Sequence, residues 1–430
     1  MFFYLSFLRP PPIRARLSSP VLITPQISND LRTEPFESVQ DIFYSWVLDD
    51  GSGQAQNVPR GIQPATATTK LTTYRQATAY KEIPVPVPKG AREGQSWRLV
   101  LTATAASASS TAKGHELIEL GKADVGLKTP LPVISMPILF TVKAGRSGQK
   151  QEQIERVYRF VVPAFPTVDL DKVPAVGDAP QPNLLTPTPT MQQVSLKVRE
   201  QTSFDLDKKI WDSGIALSSW LVRLGQTRDA QGQLQTEWDE TNLGEGGKIA
   251  LQRLKDVLVS EAPQKVLELG AGTGIVSLAL GVLLSSRRPS DENRVKDEVL
   301  TTDLESAMPL LEHNISLNEH LFPSVSLRAV VLDWDEDLNA QLRDEAGEID
   351  LVVMADVTYN TASFPALVQT IQKVIKANEK TKRPPILLGY KQRDEAERAL
   401  WDMAKAMGVD FVKIGEVHGY GGDPNEIWIA

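Results

Sequence analysis

Cysteine is absent from the 430 residues. That excludes disulfides and any zinc or redox centre built on thiolates. Histidine is scarce: His115, His313, His320 and His418 lie scattered without ligand spacing, so no metal site is expected. No apolar run reaches the roughly 20 residues that a membrane-spanning helix needs. The run Phe2-Phe3-Tyr4-Leu5 has no basic segment before it and soon meets Arg9-Pro10-Pro11-Pro12. It reads as an edge strand rather than a signal peptide. Internal repeats are lacking too. A soluble intracellular protein is expected, in the cytoplasm, with the nucleus left open.

Positive charge is short in one half of the chain only. The net charge is −8. Residues 1–190 hold 20 Lys/Arg against 16 Asp/Glu, and residues 191–430 hold 26 against 38. An acidic second half disfavours a nucleic-acid substrate and leans towards a basic partner.

The length allows two domains. Residues 1–165 read as a separate, mostly β accessory domain, with strands expected at Val21–Ile27, Trp97–Ala103, Val133–Val142 and Val157–Val162. The stretch Phe36–Leu48 reads as a helix, and Thr102–Ala112 as a loop of small residues. No catalytic constellation is visible there; either a plain folded accessory or a partner-recognition surface fits. Residues 166–190 carry Pro166, Pro174, Pro180, Pro182, Pro187 and Pro189. Proline at that density supports neither helix nor central strand, so a linker is expected. The second domain, 191–430, opens with a strand at Val194–Val198. A helix follows whose buried face is Leu217, Trp220, Leu221 and Leu224, spaced i, i+3, i+4, i+7. Residues 248–260 read as another helix.

From residue 265 onward, strand and helix patterns alternate. Strands are expected at Val266–Leu269, Val299–Thr302, Ser326–Leu332, Ile349–Met354 and Ile386–Gly389. Helical stripes lie between them, and two closing strands, Val412–Val417 and Glu426–Ile429, have no helix between them. Repeated β-α units imply an α/β fold, a doubly wound, mostly parallel sheet of seven strands with an antiparallel hairpin at one edge. Ligands bind such sheets at the carboxyl ends of the strands, and the residues of interest fall there. Val266-Leu267-Glu268-Leu269 runs into Gly270-Ala271-Gly272-Thr273-Gly274, a buried strand, a tight turn and a helix entry. A dinucleotide fingerprint needs G-x-G-x-x-G, and here the third glycine comes one residue early. A phosphate-binding P-loop needs Gly-Lys-Ser/Thr, which is absent. Asp303 ends the second strand and can accept hydrogen bonds from a ribose or cap the next helix. Asp333 and Trp334 follow the third strand; the pair suits an adenine ring, with an indole that simply caps the core as the alternative. Asp356 and Tyr359 follow the fourth strand, where a reacting group would approach, with a plain turn and a packed ring as the alternative.

E-x-G-x-G-x-G resembles motif I of the seven-β-strand S-adenosylmethionine (SAM) methyltransferases. A nicotinamide cofactor or a purely structural turn are the competing readings. The ordered set is more specific: W-D-x-x-x-x-L at Trp211, motif I at Glu268, Asp303, D-W at Asp333, and A-D-x-x-Y at Ala355. Residues 192–430 thereby resemble the lysine-directed branch called methyltransferase family 16. The resemblance implies a Rossmann-like methyltransferase sheet and SAM as cofactor. It implies a cofactor site lined by Trp211, Glu268, Gly270, Ala271, Gly272, Gly274, Asp303, Asp333, Trp334 and Ala355. Asp356 and Tyr359 match the family's D-x-x-Y motif beside the target amine. The expected activity is protein-lysine N-methylation, on a translation elongation factor or a similar cytosolic protein. The expected partner is a protein bearing the target lysine, with no nucleic acid, no membrane and a monomeric state. Two alternatives remain open: a methyltransferase for a small molecule or another protein side chain, and a SAM-binding interaction protein without catalysis.

Overall fold

The computed structural model describes residues 1–49, 66–105, 117–143, 149–164, 190–203, 205–227, 234–287, 294–337, 342, 348–378 and 383–430. The expected linker, 166–190, lies outside them except for Thr190, and so does most of the expected loop 102–112.

The first region is built of strands: β1 (Tyr4–Arg9), β2 (Arg14–Arg16), β3 (Val21–Ser28), β4 (Gln40–Asp49), β5 (Thr69–Tyr74), β6 (Ile83–Val85), β7 (Ser96–Thr102), β8 (Leu117–Glu119), β9 (Val133–Ser135), β10 (Ile138–Thr141), β11 (Gln153–Ala164) and β12 (Thr190–Gln201). One sheet has the order β1-β3-β6, with β1 at an edge. A larger one runs β12-β11-β9-β7-β10-β2, with β4 and β5 joined beside β7 and β8 beside β11.

Three expectations need correction. Phe36–Leu48 is not a helix, because β4 occupies residues 40–49 and pairs with β5 on one side and β7 on the other. Val39, Ile42, Phe43, Trp46 and Val47 mimic helical spacing, but two partner strands and the β-branched and aromatic side chains decide for a strand. The stretch 133–142 is two strands broken at Met136-Pro137, where proline offers no N–H for a ladder. Gln151 fills the break: its side chain accepts from Met136 N–H at 2.9 Å and donates to Met136 O at 2.8 Å. Finally, Val194–Val198 lies inside β12, which pairs antiparallel with β11 along its whole length. That strand therefore belongs to the sheet of the first region.

The second region contains α1 (Asp212–Gln226), α2 (Glu245–Val259), β13 (Lys265–Leu269), α3 (Ile275–Ser285), β14 (Asp297–Asp303), α4 (Met308–Asn318), β15 (Val325–Val331), β16 (Leu351–Ala355), β17 (Ile386–Tyr390), β18 (Val412–Val417) and β19 (Asn425–Ile429), with further helices at Phe364–Ala377 and Ala399–Ala406. The strands form one seven-stranded sheet, β15-β14-β13-β16-β17-β19-β18. The first five are parallel, and β19 runs antiparallel to both β17 and β18. Strands β13 to β15 step one way across the sheet, and β16 and β17 step the other way. The reversal opens a crevice beyond the carboxyl ends of β13 and β16, where ligands bind in open α/β sheets.

Helix α1 departs from the expected single buried face. Every residue from Asp212 to Leu224 is buried. Its second face is covered by the first region. Ser219 Oγ donates to Leu120 O at 2.7 Å, and Gln226 Nε2 donates to Val161 O at 2.8 Å. Phe2, Tyr4, Leu120, Tyr158 and Phe160 share one apolar cluster with Ile215, Leu217, Trp220 and Leu221. A helix buried all round needs partners on both sides, and here the β region supplies one of them.

Candidate active site

The cleft begins where β13 ends. Val266, Leu267 and Leu269 are fully buried, so the strand is anchored in the core. Gly270, Gly272 and Gly274 then take φ of +68°, +54° and +80°. At Gly270 a Cβ would lie 2.9 Å from Val357 Cγ1 and 3.3 Å from Trp334 Cζ2. At Gly274, the cap of α3, it would lie 2.5 Å from Leu311 Cδ1. A side chain at Gly270 is thus refused by both dihedral and space. Gly270→Ala is expected to cost about 1–2 kcal/mol from the left-handed backbone alone, read as a lower melting temperature. An unchanged melting temperature would contradict the geometry.

Glu268, at the fourth position of β13, is buried under this turn. Its carboxyl accepts from Ser277 Oγ on α3 and from Thr301 Oγ1 on β14, the latter at 2.9 Å. Burial pushes its pKa up to about 7, against the pull of those hydroxyls. Asp303 sits across from the turn. Gly272 N–H donates to its Oδ2 and Leu304 N–H to its Oδ1, both at 2.7 Å. Burial raises its pKa despite the two amides. The carboxylate thus caps the following backbone and holds the glycine turn, while lone pairs remain on each oxygen. Trp334 walls the cleft against Gly270. Neighbouring Asp333 accepts from Asp335 N–H at 3.0 Å.

Aromatic and charged side chains complete the lining of the cleft. Trp211 and Tyr359 stack with centroids 5.6 Å apart at 22°. Tyr359 is half exposed, and Trp211 Nε1 donates to Leu206 O at 2.8 Å. Asp356 is only 4% exposed and holds φ +56°, a left-handed conformation that aspartate tolerates better than most residues. Its N–H donates to Gly389 O at 3.1 Å. Its Oδ2 accepts from Ser213 N–H at 2.7 Å, at the start of α1, and its Oδ1 accepts from Arg393 Nη1. The Arg393 guanidinium also lies 4.8 Å from the centroid of the Trp211 ring. Burial opposes that cation, but Asp356 and Asp30 outweigh it, and its pKa lies above the ordinary value.

These features enclose one open cleft of about 1110 Å³, mouth included. Of the residues singled out in the sequence, Trp211, Glu268, Gly270, Ala271, Gly272, Asp303, Asp333, Trp334, Ala355, Asp356 and Tyr359 all line it. Gly274 does not; it shapes the helix entry behind the cleft. Sequence reasoning missed Asp207 and Lys209, which also line the cleft, and Arg393 behind it. Lys209 is 7% exposed, and burial followed by the charge of Arg32 brings its pKa down to about 8. Arg393 follows β17 at the carboxyl edge of the sheet, so the strand-end rule would have found it. The residues present fit SAM. Gly272 lines the cleft, and a Cβ there would have only Asp207 O and Lys209 O within 4 Å, so a ligand can approach the main chain at that point; an acid stands opposite, and an indole flanks the turn.

The lysine methyltransferase family model matches residues 190–407, just over half of the chain. The protein-lysine N-methyltransferase EFM6 of Saccharomyces cerevisiae is 34% identical over 149 residues, 33% of this chain and 55% of the relative. The protein N-lysine methyltransferase METTL21A of Danio rerio is 28% identical over 156 residues, 36% and 62% of the two chains. EEF1A lysine methyltransferase 3 of Mus musculus is 33% identical over 109 residues, 25% and 39%. The chain thus spans between 39% and 62% of the length of these relatives. With the motif order, the glycine turn and the strand-end residues gathered in one cleft, this chain belongs to the lysine methyltransferase family.

Proposed function

We propose that the protein is a SAM-dependent protein-lysine N-methyltransferase whose acceptor is a translation elongation factor or a similar cytosolic protein. The division read in the sequence, an accessory β region at 1–165, a linker at 166–190 and a transferase at 191–430, is kept with one change: β12 (Thr190–Gln201) goes with the β region, whose sheet it joins through β11. The observation that carries the reading is that one cleft is lined both by the glycine turn and by Asp356, Tyr359 and Trp211. The names of the relatives support lysine as acceptor and EEF1A as the type of substrate. Asp207, Asp303, Asp333 and Asp335 line the cleft, which favours an acceptor with positive charge.

The backbone at Gly270–Gly272, Asp303 and Trp334 would hold SAM, which supplies an electrophilic methyl on a cationic sulfur. The chain must then deliver a neutral amine. At neutral pH, deprotonating a lysine of ordinary pKa costs about 4.5 kcal/mol. Desolvation beside the stacked Trp211 and Tyr359 rings lowers that cost. A lone carboxylate at Asp356 would raise it by favouring the ammonium. Arg393, shared with Asp30, offsets part of that charge, so Asp356 can orient the amine with a weaker hold on its proton than a lone carboxylate would have. The proton then leaves to water, and the remaining gain comes from alignment.

Asp303→Asn is expected to weaken SAM about 10- to 100-fold by removing charge-assisted ribose bonds, read by calorimetry. An unchanged affinity would remove Asp303 from the cofactor site. The function itself is tested by incubating the protein with labelled SAM and a methylation-naive cell extract. Label in protein, recovered as methyl-lysine, supports the proposal. Label in small solutes or in another side chain points to a different methyl acceptor, and no label points to a binding protein.

A further inference from the structure

Asp30 lies in the turn after β3, far from the cleft in sequence. Leu31 N–H donates to its Oδ1 at 2.9 Å. Its Oδ2 accepts from Asp212 N–H at 3.1 Å, at the start of α1, and from Arg393 Nη2 at 2.7 Å. The same guanidinium reaches Asp356 through Nη1 and faces the Trp211 ring. The side chains of Asp30 and Asp356 are 5% and 3% exposed, and that of Arg393 is 15%. The turn that carries Asp30 is itself fixed: Asn29 Oδ1 accepts from Thr33 and Glu34 N–H, and Arg32 Nη1 donates to Thr202 O at 2.9 Å.

We infer that Asp30 is a positioning residue for the acceptor site of the cleft, acting from the β region through Arg393 on Asp356 and Trp211. The inference rests on the methyltransferase reading above. A guanidinium has a planar fork that two carboxylates can hold from two sides. With Asp30 in place, Arg393 has one orientation. It meets Asp356 along one prong and lies over the Trp211 ring. Without Asp30, a long side chain with one remaining acid regains rotamer freedom, and Asp356, in a left-handed backbone, loses part of what holds it. A third acid, Asp212, stands beside this trio. Burial, then the charge of Asp30, pushes its pKa up to about 8, and it accepts from Phe2 N–H at 2.9 Å and Tyr4 Oη at 2.8 Å. The guanidinium is thus held between Asp30 and Asp356, beside a third acid whose ionisation is disfavoured by burial and by the charge of Asp30. In this account the β region completes the transferase site as well as covering α1.

The test uses the full chain and four proteins: wild type, Asp30→Asn, Arg393→Lys and the double variant. Each is titrated with SAM by calorimetry. Initial transfer from tritiated SAM to methylation-naive extract is then expressed per SAM-binding site, which removes any unfolded fraction. The expected result is a fall of about 10- to 100-fold in Asp30→Asn, the scale of a misplaced catalytic group, with SAM affinity held. The double variant should be no slower than Arg393→Lys, because both changes break one chain of contacts. A wild-type rate per binding site in Asp30→Asn overturns the inference, as does full additivity in the double variant. If Asp30→Asn does not fold, Arg393→Lys carries the comparison, and a wild-type rate there overturns it equally. If the wild type itself transfers no methyl group, the functional reading fails. Amide exchange then still tests the brace: faster exchange at Ser213 and Asp356 in the variants supports it, and unchanged exchange overturns it.

Discussion

Asp356→Asn is expected to lower methyl transfer per SAM-binding site by about 100-fold or more, with donor affinity little changed. The substitution keeps size and tolerance for the left-handed backbone. It removes the ability to accept on both sides at once. Asp356 takes Ser213 N–H on Oδ2 and Arg393 on Oδ1. An amide has one oxygen and one NH2, so one of those two donors must face another donor. Either the start of α1 or the guanidinium moves, and Trp211 moves with both. Alanine would be a poorer probe. Leaving Arg393 buried with one of its acids gone costs about 3–5 kcal/mol in comparable pairs, and loss of fold would then mask loss of chemistry. The measurement is the rate per binding site beside a melting curve. A rate within a factor of about two of wild type would take Asp356 out of the acceptor site.

Glu268→Gln changes how stability depends on pH. The folded-state pKa of Glu268 is raised from 4.5 to about 7, chiefly by burial. The native state therefore keeps a proton that the unfolded chain releases. Its contribution is fully present below the unfolded pKa and is lost as pH rises towards 7 and beyond. By linkage the loss is on the order of 3 kcal/mol across that window. Glutamine carries no such titration but keeps polar atoms towards Ser277 and Thr301. Relative to wild type, the variant should gain stability steadily between pH 4.5 and pH 8. Denaturant titrations of both proteins at several pH values read this directly. A stability difference independent of pH would show that Glu268 is ionised in the fold throughout. The consequence reaches the site because Glu268 ties α3 and β14 to the strand that carries the glycine turn.

The parallel sheet was legible because buried central strands are plain apolar runs. Each ends in a residue that stands out against that background, such as Asp303 after Thr302 or Asp356 after Ala355. Their gathering into one cleft follows from strand order, which repeated β-α units nearly dictate. What was not legible depends on contacts between distant segments. The apolar spacing around Ile42 and Trp46 satisfies a helix as well as a strand, and only pairing with β5 and β7 decides it. The outer face of α1 shows small and polar residues, Ser219 among them. Ser219 is buried because the β region lies over it. Nothing near Asp30 marks it in sequence. It acquires meaning only when β3 brings its turn to Arg393, 363 residues later.

Whether the cleft at the carboxyl ends of β13 and β16 takes SAM is read by calorimetric titration of the wild-type chain with SAM and, separately, with NADH. A saturable one-to-one heat is expected with SAM and none with NADH. No heat with SAM together with a clear isotherm for NADH would contradict that reading.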